Sequence, residues 1–147
     1  MTSWTDEEGR IDGARHVNAE LTTGECWNLL AMETTGRFAY QADGRILIFP
    51  VNYLVHDETI FFRTLPEGAI GSALPCAVAS FEIDMVKREQ STGWAVLASG
   101  PASAVTDKDL LTYLWGRIML EPLAAGLRDQ FVRIDPAELT GRRVYLS

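Results

Sequence analysis

Short runs of apolar and polar residues alternate along most of this chain. Arg37-Phe38-Ala39-Tyr40-Gln41 predicts a strand. Asp43-Gly44 follows, a pair that tolerates the positive φ of a two-residue hairpin. Ile46 to Tyr53 is the return strand, and Pro50 inside it cannot donate to a ladder, so the strand is an edge or is bulged there. His56-Asp57-Glu58 predicts a second turn. Thr59 to Thr64, rich in aromatic and β-branched residues, predicts a third strand. Leu65 to Leu74 reads as a loop with room for one helical turn before Pro75. Ala77 to Asp84 and Gly93 to Val105 predict a fourth and a long fifth strand, joined by a polar stretch from Lys87 to Thr92. Phe131 to Ile134 and Arg143 to Leu146 predict short final strands, separated by Pro136 and Gly141.

The period changes in two places. From Leu21, Thr22 is placed to cap a helix, Glu25 stands three residues on, and Leu21 with Cys26 can form the staple. Cys26, Leu29 and Leu30 give its buried face, and Gly36 fits the residue after a helix, where positive φ is often needed. This helix should plug one end of the strands. From Thr106 to Leu120, Leu110, Leu111, Leu114, Trp115 and Ile118 recur at three- and four-residue spacing, with Thr106 as cap. Residues 1–20 are polar and aperiodic and read as an arm; residues 21–147 read as one domain. Two helices and six or seven strands joined by short turns predict a mainly β fold, an antiparallel barrel with helices at its ends. Strands and helices do not alternate, which argues against a βαβ arrangement.

Length and charge narrow the functions. A chain of 147 residues fits one core. The formal net charge of −7 argues against nucleic acid or an anionic membrane as partner, while leaving room for a local basic pocket. The acidic first residues carry no secretion signal, and no apolar stretch nears the ~18 residues of a membrane span. Cys26 and Cys76 form no metal or CxxC pattern and read as two reduced thiols in a cytoplasmic protein, with a disulfide or a catalytic thiol as the alternatives.

Signatures of catalysis are sparse. The histidines are His16, in the arm, and His56, beside Asp57 and Glu58 in a turn where a solvated imidazole is expected. No nucleophile elbow, zinc-protease motif or phosphate loop occurs. Glu82 and Asp84 share one strand face; an outward polar face is the default, a shared proton the alternative. Arg63-Thr64 stands apart. It ends a bulky apolar strand and opens a loop containing Gly68 and Gly71. An Arg at a strand end is ordinarily solvated or ion-paired. With a Thr hydroxyl and loop N–H groups beside it, the same Arg suits a phosphate.

An ordered set of segments adds to this. Pro50-Val51-Asn52-Tyr53, Phe62-Arg63-Thr64, Ala79 to Asp84 and Gly93-Trp94-Ala95-Val96-Leu97, with Gly36 to Ala39 upstream and Val132-Arg133-Ile134 and Thr140 to Arg143 downstream, resemble the pyridoxamine 5′-phosphate oxidase-like family of FMN-binding split barrels. The likeness spans about residues 20 to 144 and is greatest to a small actinobacterial flavin-nucleotide-binding branch. The resemblance implies a split β-barrel that forms a homodimer, with FMN in two equivalent grooves at the interface. It implies that Pro50, Val51 and Asn52 lie along the isoalloxazine, that Arg63 and Thr64 hold the phosphate, and that Ser72 lies in the loop covering it. Trp94 and Val96 would come from the interface strand, and Arg142 and Arg143 could reach the cofactor from near the C-terminus.

One departure bears on affinity. Relatives usually place Lys or Arg over the phosphate, where this chain has Ala69 or Ile70, and Glu67 adds negative charge. A charge-assisted hydrogen bond contributes about 1.5–3 kcal/mol, so its loss weakens FMN roughly 10- to 150-fold. Three functions follow. The first is an oxidoreductase using FMN or a deazaflavin. The second is a flavin or other ligand-binding or sensor protein without catalysis. The third is a cofactor-free protein acting through its dimer surface. The missing basic residues for a second phosphate argue against oxidation of pyridoxamine phosphate itself.

Overall fold

The computed structural model describes residues 10–11, 14–118 and 129–146. Nine strands and three α-helices follow in the order β1 (Arg10–Ile11), β2 (Ala14–Glu20), α1 (Thr23–Met32), β3 (Thr35–Ala42), β4 (Arg45–His56), β5 (Thr59–Thr64), α2 (Ala69–Ala73), β6 (Cys76–Lys87), β7 (Thr92–Ala104), α3 (Lys108–Ile118), β8 (Gln130–Ile134) and β9 (Glu138–Leu146). All pairings are antiparallel. The sheet runs β1-β2-β9-β7-β6-β3-β4-β5-β8, and an added β7–β8 pairing closes β7, β6, β3, β4, β5 and β8 into a six-stranded barrel. The split-barrel expectation therefore holds, with β9, β2 and β1 added outside the ring.

Turn chemistry sets the register. Asp43 and Gly44 have φ of 52° and 74°, and Asp57 and Glu58 have 52° and 53°. Both loops thus have the two positive φ values whose twist matches a tight hairpin. Pro50 lies where β4 pairs with β3 alone, so its missing donor leaves no ladder bond unmade. The interior is filled by Phe38, Phe62, Phe81, Ile60, Ile83, Val96 and Val132, all 2% exposed or less. On β5, Thr59 to Phe62 are buried on both faces. Ile60 and Phe62 join the barrel core, while Phe61 lies with Phe131, Val105 and Leu114 under α3. A strand covered on both sides has no reason to alternate, which is why Ile60-Phe61-Phe62 is an unbroken apolar run.

α1 begins as its sequence requires. Thr22 Oγ1 accepts from the Glu25 N–H at 3.1 Å, and the Thr22 N–H donates to Glu25 Oε1 at 2.8 Å. Other local expectations are corrected. Gly36 is not a helix terminus: α1 ends four residues earlier, and Gly36 is buried in β3 without positive φ. A Cβ there would lie 2.3 Å from Phe81 Cζ, so the aromatic ring and not the backbone requires glycine. Gly141 does not separate strands but lies inside β9, where a Cβ would meet Cys26 Sγ at 2.7 Å and Leu21 Cδ1 at 2.8 Å. The cap of α3 is Asp107, whose Oδ1 accepts from the Leu110 N–H at 2.9 Å, in place of Thr106. The expected end of that helix at Leu120 lies outside the described residues. The helical turn in the Leu65–Leu74 loop forms as α2, which brings the helices to three. Residues 14–20, aperiodic in sequence, form β2, in which His16 to Glu20 pair with Leu146 to Arg142 of β9. No described helix is long and apolar enough to cross a membrane.

Candidate functional site

The site grows from a fork in the sheet. β4 pairs with β3 through Arg45 to Asn52, then crosses to β5 through Tyr53 to His56. The last rung between β4 and β5 is Tyr53–Phe62. Continuing the ladder would pair Asn52 with Arg63, but there β5 is bound only to β8, through Arg63–Phe131 and Thr64–Gln130. Beyond this rung no described strand pairs with the outer edge of β4. The Tyr53 N–H donates to the Thr34 carbonyl at 2.9 Å, so it points toward β3. Alternation then turns the N–H and C=O of Asn52 and the C=O of Pro50 toward the open side.

Tyr53 is fixed at the fork. Its phenol donates to the Leu30 carbonyl of α1 at 2.7 Å, and its ring meets Phe81 edge-on at 4.8 Å. Burial pushes the Tyr53 hydroxyl pKa up, which keeps it the donor in that bond. Phe81 in turn lies against Gly36, the partner of Val51 across the ladder. Sequence reasoning missed Tyr53 as the element that sets the fork. A tyrosine at the end of an apolar strand, which must satisfy its hydroxyl when buried, was the available signal.

Six of the eight sequence-predicted residues belong to the two arms of this fork and the loop after it. Pro50 and Asn52 are exposed on β4 and Val51 is half-buried. The Thr35 hydroxyl bonds Asn52 Oδ1 at 3.0 Å, which steadies that side chain at the edge. Arg63 and Thr64 are half-buried at the end of β5. Ser72 is exposed on α2. In that helix Ile70 is buried in the barrel core with Leu47, Phe49 and Val51, so its position faces inward and Ala69 faces out. The loop therefore offers backbone groups and a hydroxyl, but no cation. The Arg63 guanidinium carbon lies 5.6 Å from the centroid of the Trp115 indole on α3. Trp115 was read only as part of an apolar helix face, and nothing in the spacing distinguished it from its neighbours.

Trp94 and Val96 lie elsewhere. Both are on β7, between β6 and β9. Val96 is 1% exposed in the barrel core, so its side chain is not available to a ligand. Trp94 borders a hollow of about 80 Å³ with Met85, Lys87, Thr92 and Gly93. That is far below the ~300 Å³ of the smallest ordinary ligand pockets. Arg142 Nη1 reaches Asn18 Oδ1 on β2 at 3.4 Å, and the charge of Arg143 acts on Glu25 of α1, so neither belongs to the fork. His56 closes the far end of the β4–β5 hairpin, four residues from Asn52 and about 14 Å away along the strand. There it stacks on Tyr113 of α3 at 4.1 Å.

A second polar group lies on the outer face of the barrel. Arg37 Nη1 bonds Glu82 Oε1 at 2.7 Å and Asp84 Oδ2 at 3.0 Å. Burial, then the hydrogen bond and charge of Asp84, raise the Glu82 pKa to about 7, while Asp84 is held below its usual value. The outward polar face expected for this strand is present, with Arg37 bridging its two carboxylates. Around it Ile46, Ile48, Val78, Val86 and Leu97 are exposed. Both cysteines are free thiols with pKa raised by burial, the opposite of activation. No group of three metal-ligating side chains exists among the described residues.

Comparison with known proteins follows the same outline. The family described as pyridoxamine 5′-phosphate oxidase matches residues 22–143. An uncharacterized protein of Mycobacterium tuberculosis is 30% identical over 136 residues, covering 89% of this chain and 88% of its own. The structure of an FAD binding protein from Mycobacterium smegmatis superposes with a TM-score of 0.67 at 30% identity, covering 86% of this chain and 98% of that one. A conserved protein of unknown function from Corynebacterium diphtheriae superposes with a TM-score of 0.69 at 27% identity, covering 85% and 96%.

Proposed function

The chain belongs to the pyridoxamine 5′-phosphate oxidase family, and from that premise we propose that it binds a flavin nucleotide across the β4–β5 fork and serves as an oxidoreductase. The fork is the observation that carries this reading. Among the described residues it leaves the outer edge of Pro50-Val51-Asn52 without a strand partner, next to the strand that ends in Arg63-Thr64. A planar ring with donors and acceptors on its rim suits that edge. The Arg63 fork and the Thr64 hydroxyl suit a phosphate, with Ser72 in the following loop. When bound, the flavin supplies the hydride or electron chemistry. This chain's own groups orient it, and among the described residues no acid or base stands at the fork to add proton transfer. The relative named for FAD supports a flavin; FMN and FAD share the ring and the first phosphate, and that shared part is what these residues would hold.

A homodimer completes the reading. Among the described residues no strand covers the outer edge of the fork, and a second copy would cover it. Ile46, Ile48, Val78 and Leu97 on the outer face of the same sheet supply apolar surface for such a contact. Two free thiols favour a reducing compartment, the cytoplasm. The cation-free α2 loop favours a second reading, a binding or sensor protein that holds its ligand weakly and performs no turnover.

The deciding experiment is titration of purified protein with FMN, FAD and riboflavin, followed by flavin fluorescence, with sedimentation velocity on the same samples. Quenching by FMN or FAD at micromolar protein is expected, with roughly 10- to 150-fold weaker binding in Arg63→Ala. Absence of binding by every flavin would remove the proposal, and a monomer in sedimentation would remove the dimer. A flavoprotein that no reductant in the cell can turn over would favour the sensor reading.

A further inference from the structure

We propose that Trp115 of α3 is a positioning residue that presets Arg63 for an anionic ligand, an inference that rests on Arg63 being the phosphate-binding side chain. Three observations join. Arg63 and Phe131 face each other across the β5–β8 ladder, so their side chains stand on one face of the sheet. Phe131 is fully buried there, and Trp115 meets it edge-on at 5.0 Å and 78°. The same indole lies beneath the Arg63 guanidinium at 5.6 Å. The Phe131 contact fixes the indole, and the indole in turn fixes the Arg.

A cation within about 6 Å of an indole centroid is attracted by the ring's electron-rich face. The guanidinium keeps its planar fork of N–H groups in such a contact, and that fork is what a phosphate takes. Contact with the indole and hydrogen bonding to an anion are therefore compatible in one group. Arg is also rich in rotamers, and ordering it before the ligand arrives lowers the entropic cost of binding. This is the compensation a site needs when its loop offers no second cation, as the Ala69–Ala73 segment does here. Lys at position 63 would lack the flat face and lose the device.

The test compares Trp115→Leu, which keeps an apolar contact with Phe131 but removes the π face, and Trp115→Phe, which keeps a smaller one. Each is titrated with FMN and with riboflavin, which has the ring but no phosphate, in the wild-type and Arg63→Ala backgrounds. Trp115→Leu should weaken FMN about fivefold and leave riboflavin unchanged. Trp115→Phe should stay within about twofold of wild type for FMN. In the Arg63→Ala background, Trp115→Leu should have no further effect on FMN. If Trp115→Leu fails to fold, Trp115→Met replaces it. Equal weakening of FMN and riboflavin would show a structural role and overturn the proposal. So would undiminished FMN affinity in Trp115→Leu when Arg63→Ala is weakened. If Arg63→Ala itself binds FMN like wild type, the underlying assignment of Arg63 fails instead, and the positioning role fails with it.

Discussion

Replacing Gly36 by alanine tests how the fork is built. The new methyl would stand 2.3, 2.7 and 3.0 Å from Phe81 Cζ, Cε2 and Cε1, all well inside contact distance. Phe81 cannot yield easily: it is fully buried and meets Tyr53 edge-on at 4.8 Å. Overpacking of this kind costs about 1–3 kcal/mol. Three close contacts on one rigid ring place Gly36→Ala at about 2–3 kcal/mol, or a drop in Tm of roughly 5–10 °C for a chain of this size. Urea melts followed by circular dichroism should show the loss at unchanged slope. Phe81→Leu should relieve the clash, so the double variant should cost less than the sum of the two single ones. Gly36→Asn separates two explanations. A positive-φ glycine tolerates Asn better than Ala, whereas a packing glycine tolerates it worse, because Asn is larger and polar. Alanine within about 0.5 kcal/mol of wild type, or asparagine milder than alanine, would refute the packing argument.

The remaining predictions are simpler. Thr22→Ala removes one half of the α1 capping box and should cost about 1 kcal/mol in the same melts, with Thr22→Asp close to wild type. Glu82 has a folded pKa of about 7 against an ordinary 4.5, so its contribution is complete below the lower value and fades as pH rises through the upper one. That gap would be worth about 3 kcal/mol for a buried group, and the side chain's 32% exposure cuts it to about 1 kcal/mol. Wild type should therefore lose about 1 kcal/mol between about pH 5 and about pH 8, and Glu82→Gln should flatten that slope. Asp84, held low, loses its contribution only as pH falls through the acid range, outside this window.

What the sequence revealed was what short stretches decide for themselves. Asp43-Gly44 and Asp57-Glu58 need only their own φ angles, and Thr22 with Glu25 needs only one helical turn. Pro50 announced an edge because its missing N–H is a local fact. The failures share the opposite cause. Gly36 and Gly141 were assigned backbone roles, but their neighbours Phe81 and Cys26 come from distant segments. β2 carries no pattern of its own because its ladder comes from β9, more than a hundred residues away. Val96 and Trp94 show the limit of alternation. Period two puts Trp94, Val96 and Ala98 on one face and Leu97 on the other, but only the closed barrel decides that the first set lies inward. Arg63 was found as a charge after an apolar run; its indole partner could not be, since α3 reaches β5 only through the tertiary packing of Phe61 and Phe131.

The fork also explains why the chain carries an apolar outer face beside an unpaired edge. A free strand edge offers hydrogen bonds to any other strand, and proteins usually shield such edges with charge or proline. Pro50 removes one donor from the β4 edge, but Ile46 and Ile48 beside it are 74% and 61% exposed. On this stretch only Arg45 is charged, at the hairpin end. An edge with that flank invites association unless something occupies it. One cover over both the edge and the face would satisfy the backbone groups of Asn52 and Pro50 and bury the isoleucines at once. If the proposed ligand takes the edge and the proposed second copy takes the face, the two would meet both needs together, and ligand binding and pairing of copies would be one coupled event. FMN should then tighten self-association, and dilution should release the flavin, in a single set of sedimentation runs with and without it. Association unaffected by flavin would break that coupling.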